Sequence, residues 1–216
     1  MIEKIRLAKS AHAINDAIAQ ENRSIFKNAG LSVLNVISSP GSGKTSLMEA
    51  LGKRLGKRLL VITGDIQTQL DKNRIEAAGA RAIQIETRGS CHLTAHMINA
   101  ELKKVSLDGV TNLIIENVGN LVCPSSYDLG EDSKLAVLST TEGDEKPIKY
   151  PGIFIRAQAV VINKIDLLPY VSFNVDRAIG DIRKLRHDAL ILQTSCTTGQ
   201  GMDEFYEYVV NARKSK

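Results

Sequence analysis

Residues 38–45 have the sequence Ser38-Ser39-Pro40-Gly41-Ser42-Gly43-Lys44-Thr45. An apolar run, residues 32–38, precedes this stretch, and a helical pattern follows it. A glycine-rich turn that joins a strand to a helix and ends in Gly-Lys-Thr is typical of a phosphate-binding loop, although that pattern usually begins with glycine, where Ser38 stands here. Glycines let backbone N–H groups approach phosphate oxygens, and the helix N-terminus adds partial positive charge. The stretch therefore predicts a P-loop fold.

Apolar runs alternate with helical patterns along the whole chain. Runs rich in Val, Ile and Leu predict strands, and segments with apolar residues at 3.6-residue spacing predict helices. Near-continuous apolar strands separated by helices are typical of a parallel sheet covered on both faces. We therefore predict an α/β fold with a mainly parallel β-sheet and helices on both faces, the P-loop NTPase fold. The predicted strands are 32–38, 59–63, 81–85, 113–115, 135–138, 159–162 and 190–192, the predicted helices are 3–28, 44–55, 68–78, 92–105, 172–187 and 202–213, and 139–152 is predicted to be the longest polar loop.

The composition limits the class of protein. Of the 216 residues, 43% are hydrophobic and 24% are charged, which excludes a disordered or fibrous chain. This length predicts one domain. Together with the helical spacing over 3–28 and the phosphate-loop motif, it predicts an N-terminal helix, residues 1–30, packed on or extending from a P-loop domain, residues 31–216. The absence of a membrane-length apolar run and of a secretion signal predicts a cytoplasmic protein without a membrane partner. The net charge of +4 is scattered and there is no Trp, so no nucleic-acid partner is predicted.

The cysteines are Cys91, Cys123 and Cys196. An odd, small number in a chain of this size does not predict an extracellular disulfide framework. A reducing compartment, with thiols available for burial or for metal binding, fits better.

Residues 163–166, Asn163-Lys164-Ile165-Asp166, follow a predicted strand and resemble the Asn-Lys-x-Asp element of GTPases. The Asp166 carboxylate can accept hydrogen bonds from the guanine N1–H and exocyclic amine, a donor pair that adenine lacks. Ser195-Cys196-Thr197 follows the last predicted strand and could line the guanine pocket, although Cys196 is also a candidate for an ordinary packed thiol. GTP or GDP is the predicted ligand. The residues predicted to bind it are Gly41, Ser42, Gly43, Lys44, Thr45, Ser46, Asn163, Lys164, Asp166, Ser195 and Cys196.

Catalytic and magnesium-binding residues are predicted beside the phosphates. Lys44 can reach the β- and γ-phosphates, and the Thr45 hydroxyl can bind Mg²⁺. Asp65 and Glu116 each lie at the carboxyl end of a predicted strand. Asp65 could contact Mg²⁺ or the attacking water, and Glu116 could contact Mg²⁺ directly or through water; a turn or helix-cap role is the alternative. The Gly119 N–H could meet the γ-phosphate. We predict Lys44, Asp65, Glu116 and Gly119 as catalytic residues, and Thr45, Asp65 and Glu116 as Mg²⁺ ligands.

Taken together, these motifs resemble the HypB family, the GTPase accessory proteins for nickel insertion into NiFe-hydrogenase. The resemblance covers nearly the whole chain, from about residue 10 onward. It rests on Ser38–Thr45, Gly-Asp-Ile-Gln-Thr at 64–68, Cys-His-Leu at 91–93, Glu-Asn-Val-Gly-Asn-Leu-Val-Cys-Pro at 116–124 and Asn-Lys-Ile-Asp at 163–166.

The resemblance implies a fold of the signal-recognition/MinD-like class of P-loop GTPases, with slow GTP hydrolysis and GTP-dependent homodimerisation. It also implies a Ni²⁺ or Zn²⁺ site formed by Cys91, His92 and Cys123 near the dimer interface. HypA and the hydrogenase large-subunit precursor are the implied partners. The chain departs from some family members because its first cysteine is Cys91 and it has no His-rich tract. Thr94 stands where the family commonly has Asp after Cys-His-Leu, which puts any role of that Asp in doubt.

The residues at the implied metal site leave two interpretations open. Thiolate and imidazole are suitable ligands for Zn²⁺ and Ni²⁺. Buried apolar thiols at Cys91 and Cys123, with His92 at a helix start, are the alternative, because Cys is often a core residue. Three ligands per subunit leave a four-coordinate site incomplete, and sharing across a two-fold interface could complete it. His96 could join the site, but a helix-surface position is favoured.

Three other functions are compatible with these motifs. A P-loop kinase acting on a small molecule is one, but the sequence has no evident acceptor-binding lid and Asn163–Asp166 favours guanine. A urease-type nickel accessory GTPase would share the fold, but its metal motif is typically Cys-Pro-His, whereas Cys91 and His92 are adjacent here. A metal-storage protein could use the nucleotide only structurally, but the chain lacks a metal-rich tract. The favoured hypothesis is a Mg²⁺-dependent GTPase that assists nickel insertion.

Overall fold

The computed structural model describes residues 2–65, 70–87 and 89–212, and the side chains of these residues except 2–11 and 65. Seven strands form one sheet in the order β3-β2-β4-β1-β5-β6-β7, and every neighbouring pair is parallel. The predicted parallel sheet is therefore confirmed. The strands are β1 Ser32–Ser38, β2 Leu59–Asp65, β3 Arg81–Glu86, β4 Asn112–Glu116, β5 Ser133–Ser139, β6 Ala159–Asn163 and β7 Leu190–Thr194.

Helices cover both faces of this sheet. Apolar side chains of α2, α3 and α8 pack against one face. Those of α1 and α4 pack against the other face beneath β1, β2 and β4, and those of α6 and α7 pack beneath β5 and β6. The helices are α1 Ile2–Asn28, α2 Lys44–Leu55, α3 Leu70–Ala77, α4 Ala95–Leu102, α5 Lys146–Lys149, α6 Pro151–Arg156, α7 Val175–Leu185 and α8 Met202–Asn211, with short 3-10 helices at Gly56–Arg58, Cys123–Ser126 and Ile165–Tyr170.

Two predicted segments differ from the structure. The helix predicted over 92–105 begins only at Ala95, because the Thr94 hydroxyl caps it by accepting a hydrogen bond from the Met97 N–H at 3.4 Å. Cys91 and His92 therefore lie in the preceding loop and not in the helix. The polar loop predicted over 139–152 contains α5 and the start of α6. Its prolines lie in the first turns of these helices, where a missing N–H costs nothing.

The order of the strands determines where the site lies. β1 is central, between β4 and β5, and the phosphate-loop residues leave its carboxyl end. Glu116 and Asn163 end β4 and β6, so they reach the same edge of the parallel sheet. Asp65 ends β2, but its side chain, like residues 66–69, lies outside the described residues. Within the described part of the chain, no helix combines the length and apolarity needed to cross a membrane.

Candidate functional site

The phosphate loop is closed by contacts that only glycine permits. Gly43 has φ = 97°, and a Cβ placed on it would overlap the Asn163 amide nitrogen. The Asn163 Nδ2 donates a hydrogen bond to the Ser42 carbonyl at 2.9 Å. The neighbouring Lys164 Nζ donates to the Gly41 carbonyl at 2.7 Å. Residues 163–166, the predicted guanine-recognition motif, are thus in direct contact with the phosphate loop.

Ser38, which replaces the usual first glycine, is part of this loop's internal bonding. Its buried hydroxyl accepts hydrogen bonds from the Lys44 Nζ at 2.7 Å and from the Ser42 Oγ at 2.5 Å. The same hydroxyl donates to the Ser39 carbonyl at 2.6 Å. The serine therefore supplies a polar partner beside Lys44 that a glycine could not supply.

A cavity of about 530 Å³ lies above this loop. It has room for a nucleotide's phosphates, and its walls come from the phosphate loop and from the ends of β2 and β4. Gly119 closes one side, since a Cβ there would approach Pro40 Cγ to 3.0 Å. Of the predicted site residues, the cavity is lined by Gly41, Gly43, Lys44, Thr45, Ser46, Glu116, Gly119 and Lys164.

Glu116 is a buried carboxylate that faces the cavity. It is 4% exposed, and its Oε1 accepts a hydrogen bond from the Thr45 hydroxyl at 2.9 Å. Its Oε2 is buried and has no hydrogen-bond partner among the described residues. Burial raises the pKa of Glu116 to about 7, against the lowering effect of nearby Lys44. The Thr45 hydroxyl and the Glu116 Oε2 atom are oxygen ligands of the kind that Mg²⁺ prefers.

The residues predicted for the base side are in different environments. Asp166 is half-buried in the 3-10 helix that follows β6. Ser195 is fully buried, and its hydroxyl accepts a hydrogen bond from the Thr198 N–H at 3.1 Å within a turn. Cys196 is half-buried and lines a second cavity of about 450 Å³, which shares Ser46 with the first. Burial raises the pKa of Cys196 to about 11, so this thiol is protonated at neutral pH.

The three predicted metal ligands come together on the surface. The ligand atoms of Cys91, His92 and Cys123 all lie within 4.8 Å of one another. Cys91 is exposed, and the other two are half-buried. The hydrogen bond with Cys123, and then burial, raise the pKa of the Cys91 thiol, whereas burial and the charge of His12 lower the pKa of His92. Two sulfurs and one imidazole at this separation fit Zn²⁺ or Ni²⁺ and leave a fourth position open. His96 is exposed on α4, outside this cluster.

Asn117 connects two parts of the site, a role that the sequence did not predict. One is the loop that carries Cys91 and His92, called the metal loop below, and the other is the cavity above the phosphate loop, called the nucleotide cavity. Its Oδ1 accepts hydrogen bonds from the N–H of Leu93 at 3.1 Å and from the N–H of Val118 at 3.0 Å. Its Nδ2 donates to the Asn35 Oδ1 at 3.2 Å. Leu93 follows the ligands Cys91-His92 directly, and Asn117 follows Glu116. The motif at 116–124 contains this asparagine, but only the folded backbone shows what it binds.

Arg74 of α3 is a second residue that sequence reasoning missed. Its guanidinium lines the nucleotide cavity and donates to both carboxylate oxygens of Glu49, at 3.0 and 2.7 Å. It also donates to the Ser46 Oγ at 3.3 Å. Nothing in the local sequence distinguishes this arginine from an ordinary solvated residue on a helix.

Comparison with known proteins identifies the family. Residues 32–193 match the family model described as CobW/HypB/UreG, nucleotide-binding domain. The chain is 46% identical over 207 residues to the hydrogenase maturation factor HypB of Rhizobium leguminosarum bv. viciae, a match that covers 95% of this chain and 69% of that protein. The chain belongs to the HypB family of hydrogenase maturation factors. The resemblance found in the motifs is thereby confirmed.

Solved HypB structures have the same fold. The crystal structure of HypB from Helicobacter pylori in complex with nickel superposes with a TM-score of 0.87 at 40% identity, covering 93% of this chain and 95% of that one. HypB from Archaeoglobus fulgidus superposes with a TM-score of 0.85 at 36% identity, covering 91% of this chain and 97% of that one. The architecture described above is therefore that of HypB proteins.

Proposed function

We propose that this HypB-family chain is a Mg²⁺-dependent GTPase that binds nickel or zinc and assists nickel insertion into NiFe-hydrogenase. The observation that carries the proposal is the hydrogen bond from Leu93 N to Asn117 Oδ1, which connects the metal loop to the wall of the nucleotide cavity. Its relatives are named hydrogenase maturation factors, which supports a role in hydrogenase maturation. The H. pylori HypB structure contains nickel, which supports nickel as the bound metal.

The proposed reaction is the transfer of a phosphoryl group to water. A water oxygen attacks the γ-phosphorus, the bond from that phosphorus to the β–γ bridging oxygen breaks, and GDP and phosphate are released. Lys44 and the backbone N–H groups of the phosphate loop stabilise the developing charge, and Gly119 offers its N–H to the γ-phosphate. Thr45 and Glu116, with Asp65, would hold Mg²⁺, which supplies charge neutralisation when bound. Asp65 is also proposed to orient the water.

Guanine selection is proposed to rest on Asp166, which gives a direct test. The change Asp166→Asn replaces an acceptor of two hydrogen bonds by an amide that presents a donor to a guanine donor. We expect GTP and GDP to bind roughly 100-fold more weakly, since hydrogen bonds to a charged group contribute about 1.5–3 kcal/mol each. Displacement of a fluorescent guanine nucleotide measures this, with ATP as a second competitor.

The matched control is Asp176→Asn, which makes the same change at an exposed position in the first turn of α7. It should leave the affinity for GDP unchanged. Equal binding of GTP and ATP by the unaltered protein, or an unchanged GDP affinity in Asp166→Asn, would contradict the guanine assignment.

A GTP-dependent homodimer is the second part of the proposal. Three ligands from one chain leave the metal site open, and a two-fold interface could complete it. Val122, which directly precedes Cys123, is an apolar side chain with 58% exposure, so this loop offers surface that a partner could bury.

We expect light scattering after size exclusion to give a doubled mass with Mg²⁺ and a non-hydrolysable GTP analogue, and a single-chain mass with GDP. Identical masses in both states would exclude the switch.

The partners proposed for the loaded protein are the nickel chaperone HypA and the hydrogenase large-subunit precursor. Loss of the γ-phosphate would release contacts of the loop that contains Gly119. Because Cys123 follows that loop, hydrolysis could move a ligand and favour transfer of the metal.

A further inference from the structure

We propose that α1 positions the ligands of the metal site, an arrangement called the brace below. Asn15 and Asn22 of α1 hold the two ligand-bearing segments together, and Tyr127 of the second segment fixes the ring of His92. The first segment carries Cys91 and His92 and continues to Ala95, and the second carries Cys123 and continues to Leu129. The inference rests on the proposed metal site, and it assigns positioning roles to residues outside the ligand set.

Asn15 bonds to both segments with one side chain. Its Oδ1 accepts a hydrogen bond from the Ala95 N–H at 2.9 Å, and its Nδ2 donates to the Asp128 carbonyl at 2.8 Å. The residue is 6% exposed, so these bonds are shielded from water. Removal of the amide would leave two backbone groups without partners, the buried Ala95 N–H and the partly buried Asp128 carbonyl, which is costly.

Asn22, two turns further along α1, repeats the arrangement. Its Nδ2 donates to the Ala95 carbonyl at 2.9 Å and to the Leu129 carbonyl at 3.1 Å. Its Oδ1 accepts a hydrogen bond from the Asn99 amide of α4 at 2.9 Å. Ala95 is therefore held through both its N–H and its carbonyl by α1, and each asparagine spans from it to the second segment. Arg23 adds an ion pair to the Asp128 carboxylate at 2.9 Å.

An aromatic stack extends the brace to a ligand. The Tyr127 ring contacts two imidazoles, with its centroid 4.0 Å from that of His92 and 4.7 Å from that of His12 on α1. The planes of Tyr127 and His92 differ by 29°. A ring stacked in this way restricts rotation of the imidazole and so orients the nitrogen that a metal would use.

The expected consequence concerns metal affinity. Partners that orient metal ligands without binding the metal typically contribute about 10- to 100-fold in affinity. The two ligand-bearing segments are separated by α4 and β4 in the chain, so their relative position depends on tertiary contacts. Among the described residues, Asn15 and Asn22 are the side chains that hydrogen-bond to both segments at once.

The experiment measures Ni²⁺ and Zn²⁺ affinity of the full chain by competition with a chelator. We expect Asn15→Ala to weaken both metals by about 10- to 100-fold while GDP affinity stays the same. The matched control is Ser24→Ala, which removes an exposed hydroxyl bonded only within α1. Co²⁺ absorption gives a second readout, since a misplaced imidazole changes the ligand-field bands even where the metal is still bound.

A second pair of variants covers the case in which Asn15→Ala fails to fold. Tyr127→Phe keeps the ring and should keep the affinity, whereas Tyr127→Leu removes the stack and should lower it by about 10-fold and shift the Co²⁺ bands. Unchanged affinity and spectra in folded Asn15→Ala and Tyr127→Leu would overturn the brace. If Cys91→Ser nevertheless loses the metal, the proposed metal site stands and only the brace is rejected. If every variant, including Cys91→Ser, retains the metal, the proposed metal site itself is rejected.

Discussion

Replacement of Lys44 by alanine should lower the rate of GTP hydrolysis by about 100- to 1000-fold, the range seen when a donor to developing charge is removed. Lys44 begins α2, is 8% exposed and lines the nucleotide cavity. Its ammonium group lies against the Ser38 hydroxyl at 2.7 Å, so it is already oriented within the loop. Alanine removes the charge but keeps a good helix former, so the fold should be retained.

Phosphate release from GTP under single-turnover conditions measures this effect, with nucleotide affinity recorded in parallel. The control is Lys57→Ala, which removes an exposed lysine shortly after the same helix and should leave the rate unchanged. A Lys44→Ala protein that hydrolyses GTP at the original rate would reject the proposed phosphate site, because no other role in that loop depends so strongly on the ammonium group.

Replacement of either metal-site cysteine by serine should abolish tight binding of Ni²⁺ or Zn²⁺ at this cluster. The ligand atoms of Cys91 and Cys123 belong to one cluster with His92, and a hydroxyl is a much poorer ligand than a thiolate. We expect affinity to fall by more than about 100-fold, the upper end of what residues around a metal site contribute without binding it. Metal content after gel filtration and chelator competition give the measurement.

The matched control for this second prediction is Cys196→Ser. Burial raises the pKa of Cys196 to about 11, and the residue packs against the core on the other face of the sheet from α1 and α4. Its metal content should stay at the original value. Equal loss in all three variants would indicate general damage to the fold, and equal retention would show that the cluster does not bind metal.

The sheet could be predicted because its strands are almost uninterrupted apolar runs. All five residues of β4 and of β6 are buried, and buried parallel strands have this composition. The start of α4 and the presence of α6, which begins in the predicted loop 139–152, could not be predicted as well. Thr94 and Pro151 are compatible with loops in the sequence, and only the structure shows that Thr94 caps α4 and that Pro151 is the first residue of α6.

The site was predictable where a motif determines the chemistry locally. Gly43, Lys44 and Thr45 fall within one turn, and their placement follows from the loop itself. Asn15, Asn22 and Asn117 were not predictable, because a buried amide is distinguished by its partners. Those partners lie on other elements, up to 113 residues away for Asn15 and Asp128. Hydrophobic periodicity contains no information about them.

The contact between Asn163 and Ser42 has a consequence for folding. It closes a chain segment of 121 residues, and the Asn163 side chain is itself held by the Thr194 hydroxyl at 3.0 Å. Contacts so distant in sequence form late, since the entropy of closing the intervening chain must first be overcome. The phosphate loop near the start of the chain therefore reaches its final shape only after β6 and β7 have docked. A fragment of this chain that ends before β6 would contain the complete Gly-Lys-Thr motif but would lack the amide that holds it closed.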